Sequence, residues 1–131
     1  MIFVDSSIWY AAKVPEDPDH DAARRLLIEA TSTLIATDYV VDELLTLLVA
    51  RNQRDIAVRI GGDFFGENSC DLEWVEVDDV WEAWRVFATF DDKTWSFTDC
   101  VSYAVMKRLQ ITEAFALDDD FKQFGFAVVR P

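Results

Sequence analysis

The sequence of 131 residues has one histidine, two cysteines, three prolines and four glycines. Each scarcity removes a class of protein. With a single His, and with Cys70 and Cys100 far apart and outside any CxxC pair, a structural zinc site has too few ligands. The two cysteines read instead as reduced, buried thiols of a cytoplasmic protein. So little Gly and Pro argues against a low-complexity chain, and the 51% of hydrophobic residues supply a core that needs no staples. Basic residues are also short: 12 Lys and Arg face 25 Asp and Glu, for a formal net charge of −13. That balance opposes binding to a polyanion unless metal ions or a local basic strip offset the repulsion. No stretch approaches the roughly 18 apolar residues of a membrane span, and the N-terminus lacks the basic segment and apolar run of an export signal. The expectation is a cytoplasmic protein with no membrane contact.

What is present is an alternation of short apolar runs and amphipathic stretches. Ile2-Phe3-Val4 reads as a buried first strand, followed by a short helix from Ser6 to Ala12 that the Pro15–Pro18 segment stops. A second helix is expected over 19–30, a strand over 33–36, and a third helix that Thr37 or Asp38 caps. A fourth helix runs from Arg54 to Phe65 and ends at Gly66. Residues 72–77 alternate as a strand, 79–90 and 97–109 have helical spacing, 114–117 is a fourth strand, 119–124 a helical turn and 127–129 a last strand. Strands separated by helices imply crossover connections, hence a parallel sheet covered on both faces. The reading is a single α/β domain over 1–131, a three-layer α/β/α sandwich.

In such sheets a site lies beyond the carboxyl ends of the strands. Asp5 directly follows the first strand and Asp118 the fourth. Asp99 opens the helix leading to the fourth strand, and Glu43 lies early in the helix after the second. Four acids from distant segments thus point to one edge. Carboxylates gathered there repel one another unless a divalent cation intervenes, and hard oxygen ligands select Mg²⁺ or Mn²⁺. Such an ion can activate water against a phosphodiester without any His, Cys or Ser nucleophile. His20, in a charged segment, reads as solvated. Each acid also has a local explanation. Asp5 suits a helix cap, Asp99 completes a Ser96-Phe97-Thr98-Asp99 helix start, and Asp118-Asp119-Asp120 suits a solvated turn. A helical wheel does not separate Glu43 from Asp42.

Phe3-Val4-Asp5-Ser6-Ser7, Val40-Val41-Asp42-Glu43-Leu44, Phe97-Thr98-Asp99-Cys100-Val101-Ser102 and Phe115-Ala116-Leu117-Asp118 with Phe121 and Gly125-Phe126 follow in one order along nearly the whole chain. In these four segments the sequence resembles the PIN-domain nucleases, particularly the compact VapC-like toxins of toxin–antitoxin pairs. The resemblance implies a five-stranded parallel sheet and a metal-dependent endoribonuclease using Mg²⁺ or Mn²⁺. It assigns acidic roles to Asp5, Glu43, Asp99 and Asp118, preferring Glu43 to Asp42. Asp5 and Asp99 would be the direct ligands, with Asp118 and Glu43 completing the shell or orienting water. Ser7 and Thr98 look like its polar supports. The family's last motif usually carries one acid, so Asp120 is a further candidate. Arg51, Arg54 and Arg59 are candidate RNA contacts, with a solvated helix face as the alternative. The implied partners are RNA, a small antitoxin protein and a second copy of the chain.

Rival families fit less well. Haloacid-dehalogenase-like phosphatases want an acid where Ser7 stands. Response-regulator receivers want an acid pair near the first strand and a late Lys, and Asp5 stands alone. A PIN-like module that binds a partner without cutting RNA is the alternative of a different class. Trp74, Trp81, Trp84, Phe87 and Trp95 read by default as core, with a homodimer face or a groove for an antitoxin helix as the other reading.

Overall fold

Three consecutive apolar residues with no polar face make β1 (Ile2–Val4) a strand for the middle of a sheet, and all three are buried. The computed structural model describes residues Met1–Pro131 and continues with α1 (Ser6–Lys13), α2 (His20–Glu29), β2 (Leu34–Thr37), α3 (Asp38–Ala50) and α4 (Arg54–Phe65). Then come β3 (Asp71–Glu73), α5 (Val77–Thr89), α6 (Phe97–Leu109), β4 (Glu113–Phe115), α7 (Asp120–Gln123) and β5 (Ala127–Val129). All five strands are parallel, in the order β3-β2-β1-β4-β5. The α/β/α sandwich with a five-stranded parallel sheet is therefore the fold.

Strand order decides where a site can form. The chain steps outward from β1 to β2 and β3, then returns to the other side of β1 for β4 and β5. The order reverses between β1 and β4, and at such a switch point the following loops part and leave a crevice. Val4 pairs with Phe115, and the Asp5 N–H still donates to the Phe115 carbonyl at 3.0 Å. The two strands stay joined up to the residue where the chain turns into α1.

Local chemistry sets the helix starts. Thr37, not Asp38, caps α3, its hydroxyl accepting from the Val40 N–H at 3.1 Å. The Asp38 carboxylate instead accepts from the Val75 N–H at 2.8 Å. The alternation over 72–77 predicts a six-residue strand, but β3 ends at Glu73. Glu76 and Asp79 form a reciprocal capping box that starts α5 at Val77, so Trp74, Val75 and Glu76 form the turn into the helix rather than the end of the strand. His20 is half-buried rather than solvated, with its ring Nδ1 2.8 Å from the Ala11 carbonyl oxygen. Gly125 has φ +96°, the left-handed turn that lets the chain double back from α7 into β5.

The main core lies around β1, β2, β4 and the faces of α1, α3 and α4. A smaller one lies between α5 and α6, built from Ala83, Val86, Trp95, Cys100, Val101 and Val105. The default core reading of the tryptophans is corrected here. Trp95 is buried, but Trp81 keeps 67% and Trp84 53% exposure, and Trp74 and Phe87 are exposed too. Ala83 and Val86 already seat α5 on α6, so the aromatic stripe one position round the helix is left outside.

Arg108 of α6 fastens this second layer to the sheet. Its Nε and Nη2 donate to the buried Asp79 carboxylate at 2.9 Å each, and Nη1 donates to Glu73 at 3.0 Å. Removing one partner of such a pair leaves a buried charge uncompensated. Arg108→Ala should lower unfolding stability by about 3 kcal/mol in urea titration, with Arg108→Lys intermediate. An unchanged midpoint would remove the pair as the clasp between α5, α6 and β3.

Candidate active site

At the switch point Asp5 is the N-cap of α1, 5% exposed, with its Oδ2 accepting from the Ser7 N–H at 3.2 Å and the Ser7 hydroxyl at 2.6 Å. The Ser7 Oγ in turn accepts from the Leu117 N–H at 3.2 Å. One serine thus spans the crevice from the end of β1 to the segment after β4. Its neighbour Ser6 donates to Glu43 Oε1 at 2.5 Å, joining α1 to α3. Asp99 sits in the capping box of α6, Oδ2 accepting from the Ser96 N–H at 3.0 Å. Asp118 Oδ1 accepts from the Asp120 N–H at 3.1 Å. The cap readings of Asp5 and Asp99 are correct as far as they go. Each of the four acids has one oxygen held by a protein donor, and the second oxygens of Asp5, Glu43 and Asp118 accept no protein hydrogen bond.

These side chains feel one another. Burial pushes the Asp5 carboxyl up to about 6, against the lowering effect of the Ser7 bonds and with help from the charges of Asp118 and Glu43. Burial likewise pushes Asp99 to about 7, aided by the charges of Asp5 and Asp120. Asp120 is raised as well, by burial first and then by Asp118, while its hydrogen bond with Asp99 works the other way. Asp120 therefore belongs to the cluster. Asp119 does not: it pairs with Lys122 at 3.3 Å and Arg130 at 2.6 Å, facing away.

No basic side chain offsets this charge, because none of the molecule's ion pairs involves Asp5, Glu43, Asp99, Asp118 or Asp120. Nor do any three acids close around a common point tightly enough to cage an ion as they stand. Unneutralised carboxylates spread apart, and a small, strongly hydrated cation needs only one or two of them directly, with water filling the other positions. A donor set of free carboxylate oxygens with no competing cation fits a hard divalent ion of that kind.

The remaining sequence candidates separate. Thr98 stands with Glu43 in the wall of a groove of about 400 Å³ along α3, lined also by Asp42, Thr46, Leu47 and Ala50, rather than in hydrogen-bond contact with the acids. Arg51 follows that groove, with its Cζ 4.9 Å from the centre of the Tyr10 ring. Arg54 borders a different, apolar groove between α3 and α4, and Arg59 is exposed on α4. Ser6 is the residue that sequence reasoning passed over. Its signal was its place between Asp5 and Ser7, but its partner Glu43 lies 37 positions away and is visible only in three dimensions.

The four segments in register and the parallel sheet agree with comparison to known proteins. Residues 2–127 match the PIN domain. The chain belongs to the PIN-domain family. It is similar over its full 131 residues, at 34% identity and across 99% of that protein, to the 23S rRNA-specific endonuclease VapC20 of Mycobacterium tuberculosis, both in strain CDC 1551 / Oshkosh and in strain ATCC 25618 / H37Rv. The crystal structure of Mycobacterium tuberculosis VapC20, a Sarcin-Ricin loop cleaving toxin, superposes with a TM-score of 0.93 at 33% identity, covering all of both chains. This PIN domain therefore shares with that structure the whole path of the chain and not only the sheet.

The raised carboxyls make metal-free stability depend on pH. An acid whose native pKa lies above its unfolded value holds more protons folded than unfolded, so stability falls as pH rises between the two. For Asp5 and Asp99 that window runs from the ordinary 3.8 up to about 6 and about 7. In EDTA the melting temperature should be higher at about pH 5.5 than at about pH 7.5. Asp5→Asn, which removes one titrating group, should flatten that slope. A melting temperature that rises with pH would refute the crowding of these acids.

Proposed function

We propose that this PIN domain is a Mg²⁺- or Mn²⁺-dependent endoribonuclease, the toxin of a toxin–antitoxin pair, with an RNA of the 23S rRNA type as its substrate. The observation that carries it is the acid cluster at the β1–β4 switch point, its carboxyls raised by burial and by one another and left without a cation from the chain. The full-length likeness to VapC20 supports the choice of RNA.

In this reading Asp5 and Asp99 would hold the ion, with Asp118, Asp120 and Glu43 as the further acids of its surroundings. When bound, the ion withdraws charge from the phosphodiester and makes a coordinated water more acidic. Glu43, with Oε1 fixed by Ser6, would keep Oε2 to orient the attacking water and accept its proton. The new P–O bond would form as the bond to the leaving sugar oxygen breaks, and that oxygen would take its proton from solvent water. Ser7 keeps Asp5 and the β4 loop at a constant separation. The partners that go with the reading are a small antitoxin and a second copy of the chain, and it places the work in the cytoplasm.

Incubated with Mg²⁺ or Mn²⁺ and 23S rRNA, the purified protein should cut the RNA, and EDTA should stop it. Asp5→Asn and Asp99→Asn should each lower the rate by roughly 100-fold or more without loss of fold, read by circular dichroism and gel analysis of the RNA. Cleavage that survives in both variants would sink the assignment. No cleavage by the wild type, with antitoxin binding unchanged in Asp5→Ala, would favour the silent binding module.

Ser6→Ala should retain the melting temperature to within a few degrees but lower the cleavage rate about 10-fold. Ser6→Thr, which keeps the hydroxyl, should recover most of it. Equal losses in the two variants would mean that the hydroxyl does not position Glu43.

A further inference from the structure

All of the molecule's ion pairs take their cations from Arg85, Lys93, Arg108, Lys122 and Arg130. The six cations before residue 60, namely Lys13, Arg24, Arg25, Arg51, Arg54 and Arg59, enter none. In a chain with a net charge of −13, an arginine left free of carboxylates beside an acid cluster calls for a reason. Among the six, only Arg51 lies over an aromatic ring, that of the buried Tyr10.

Position makes this contact more than a surface accident. Tyr10 is one turn beyond Ser6 on α1, about 6 Å along the axis, and Ser6 is what fixes Glu43. From the other side, the groove along α3 starts at Asp42 and Glu43 and ends at Ala50, immediately before Arg51. Arg51 is the C-cap of α3, and its guanidinium lies over the Tyr10 ring, one turn of α1 beyond the serine that holds Glu43. A guanidinium lying over a ring is held by its face and keeps its N–H donors at the edge, where a phosphate can take two of them. Asp42 and Glu43 at the head of the groove repel a phosphate, so Arg51 is the first of the chain's own cations that a strand leaving the cluster meets.

We propose that the α3 groove carries the RNA strand away from the cleavage site and that Arg51, seated on Tyr10, grips the phosphate next to the one cleaved. The proposal rests on the nuclease reading above. It separates the three arginines of the third and fourth helices: Arg51 binds the strand, while Arg54 and Arg59 stand apart from its path.

The test uses a fluorescent RNA hairpin carrying the sarcin–ricin loop, with cleavage kinetics for the wild-type protein and fluorescence anisotropy on an Asp5→Asn background. Arg51→Ala should raise KM and weaken hairpin binding roughly 10- to 100-fold with kcat nearly unchanged. The slope of log affinity against log salt should shrink by about 0.7, the share of one phosphate contact to a single strand. Arg51→Lys should keep that slope while losing part of the affinity. Tyr10→Phe should behave as the wild type and Tyr10→Leu should bind more weakly, while Arg54→Ala and Arg59→Ala should match the parent. Wild-type cleavage with KM, affinity and salt slope untouched in Arg51→Ala overturns the subsite and leaves the nuclease standing. Binding that depends on Arg51 without wild-type cleavage upholds the subsite and overturns the nuclease reading. No binding of the hairpin by any form overturns both.

Discussion

Carboxylates brought together in a partly buried crevice repel, and each one raises the proton affinity of the next. Asp5, Asp99 and Asp120 show that pressure, and Asp118 and Glu43 contribute to it. A protein can relieve such crowding with a lysine or arginine, as Arg108 does for Asp79, Glu73 and Glu76 at the β3 end of the same molecule. The contrast between these two acid groups is the main clue to function. One is neutralised from within and ties elements together, and the other is left open to a charge supplied from solution.

The sheet produces that opening without special machinery. Because the strand order reverses between β1 and β4, the segments after these strands diverge, one beginning with Asp5 and the other reaching Asp118 three residues past β4. The two helices that bring further acids start at the same end. Helix starts also explain why the capping and functional readings of Asp5 and Asp99 are not rivals. A cap uses one carboxylate oxygen, Oδ2 in both residues, to satisfy an N–H that would otherwise be orphaned. The same bond fixes the direction of the remaining oxygen. Ser6 does this for Glu43 across two helices and the Asp120 N–H does it for Asp118 across a turn, so each acid has one oxygen fixed by the protein, while Asp99 also meets Asp120.

Much of this was legible in the sequence because it depends on short-range pattern. Apolar triplets such as Ile2-Phe3-Val4 reveal buried strands, and Ser96 with Asp99 reveals a helix start. Failures came where a distant partner decides. The extended pattern over 72–77 yields to the Glu76–Asp79 capping box, which in turn is supported by Arg108 some thirty positions on. The tryptophans of α5 have core spacing, but burial depends on what α6 offers, and Ala83 with Val86 fills that contact first. Asp118, Asp119 and Asp120 are indistinguishable as a run of letters. Arg130 and Lys122 divide them by drawing Asp119 outward, and the contact with Asp99 brings Asp120 in.

The net charge of −13 is hostile to RNA only while it is treated as spread evenly. Residues 67–131 contain 14 acids and six bases, and five of those six cations are spent on ion pairs. Residues 1–66 contain 11 acids and six bases, all six unspent. Apart from Lys107, free positive charge therefore lies in the first half of the chain, and there Arg51 is the cation held on a ring beside the end of the α3 groove. An ion at the acid cluster would reverse the local sign there, while Arg51 supplies attraction one step along the strand. On the proposed reading, the two would supply the local positive charge that an acidic chain requires before a polyanion can approach, along a line from the acid cluster to Arg51.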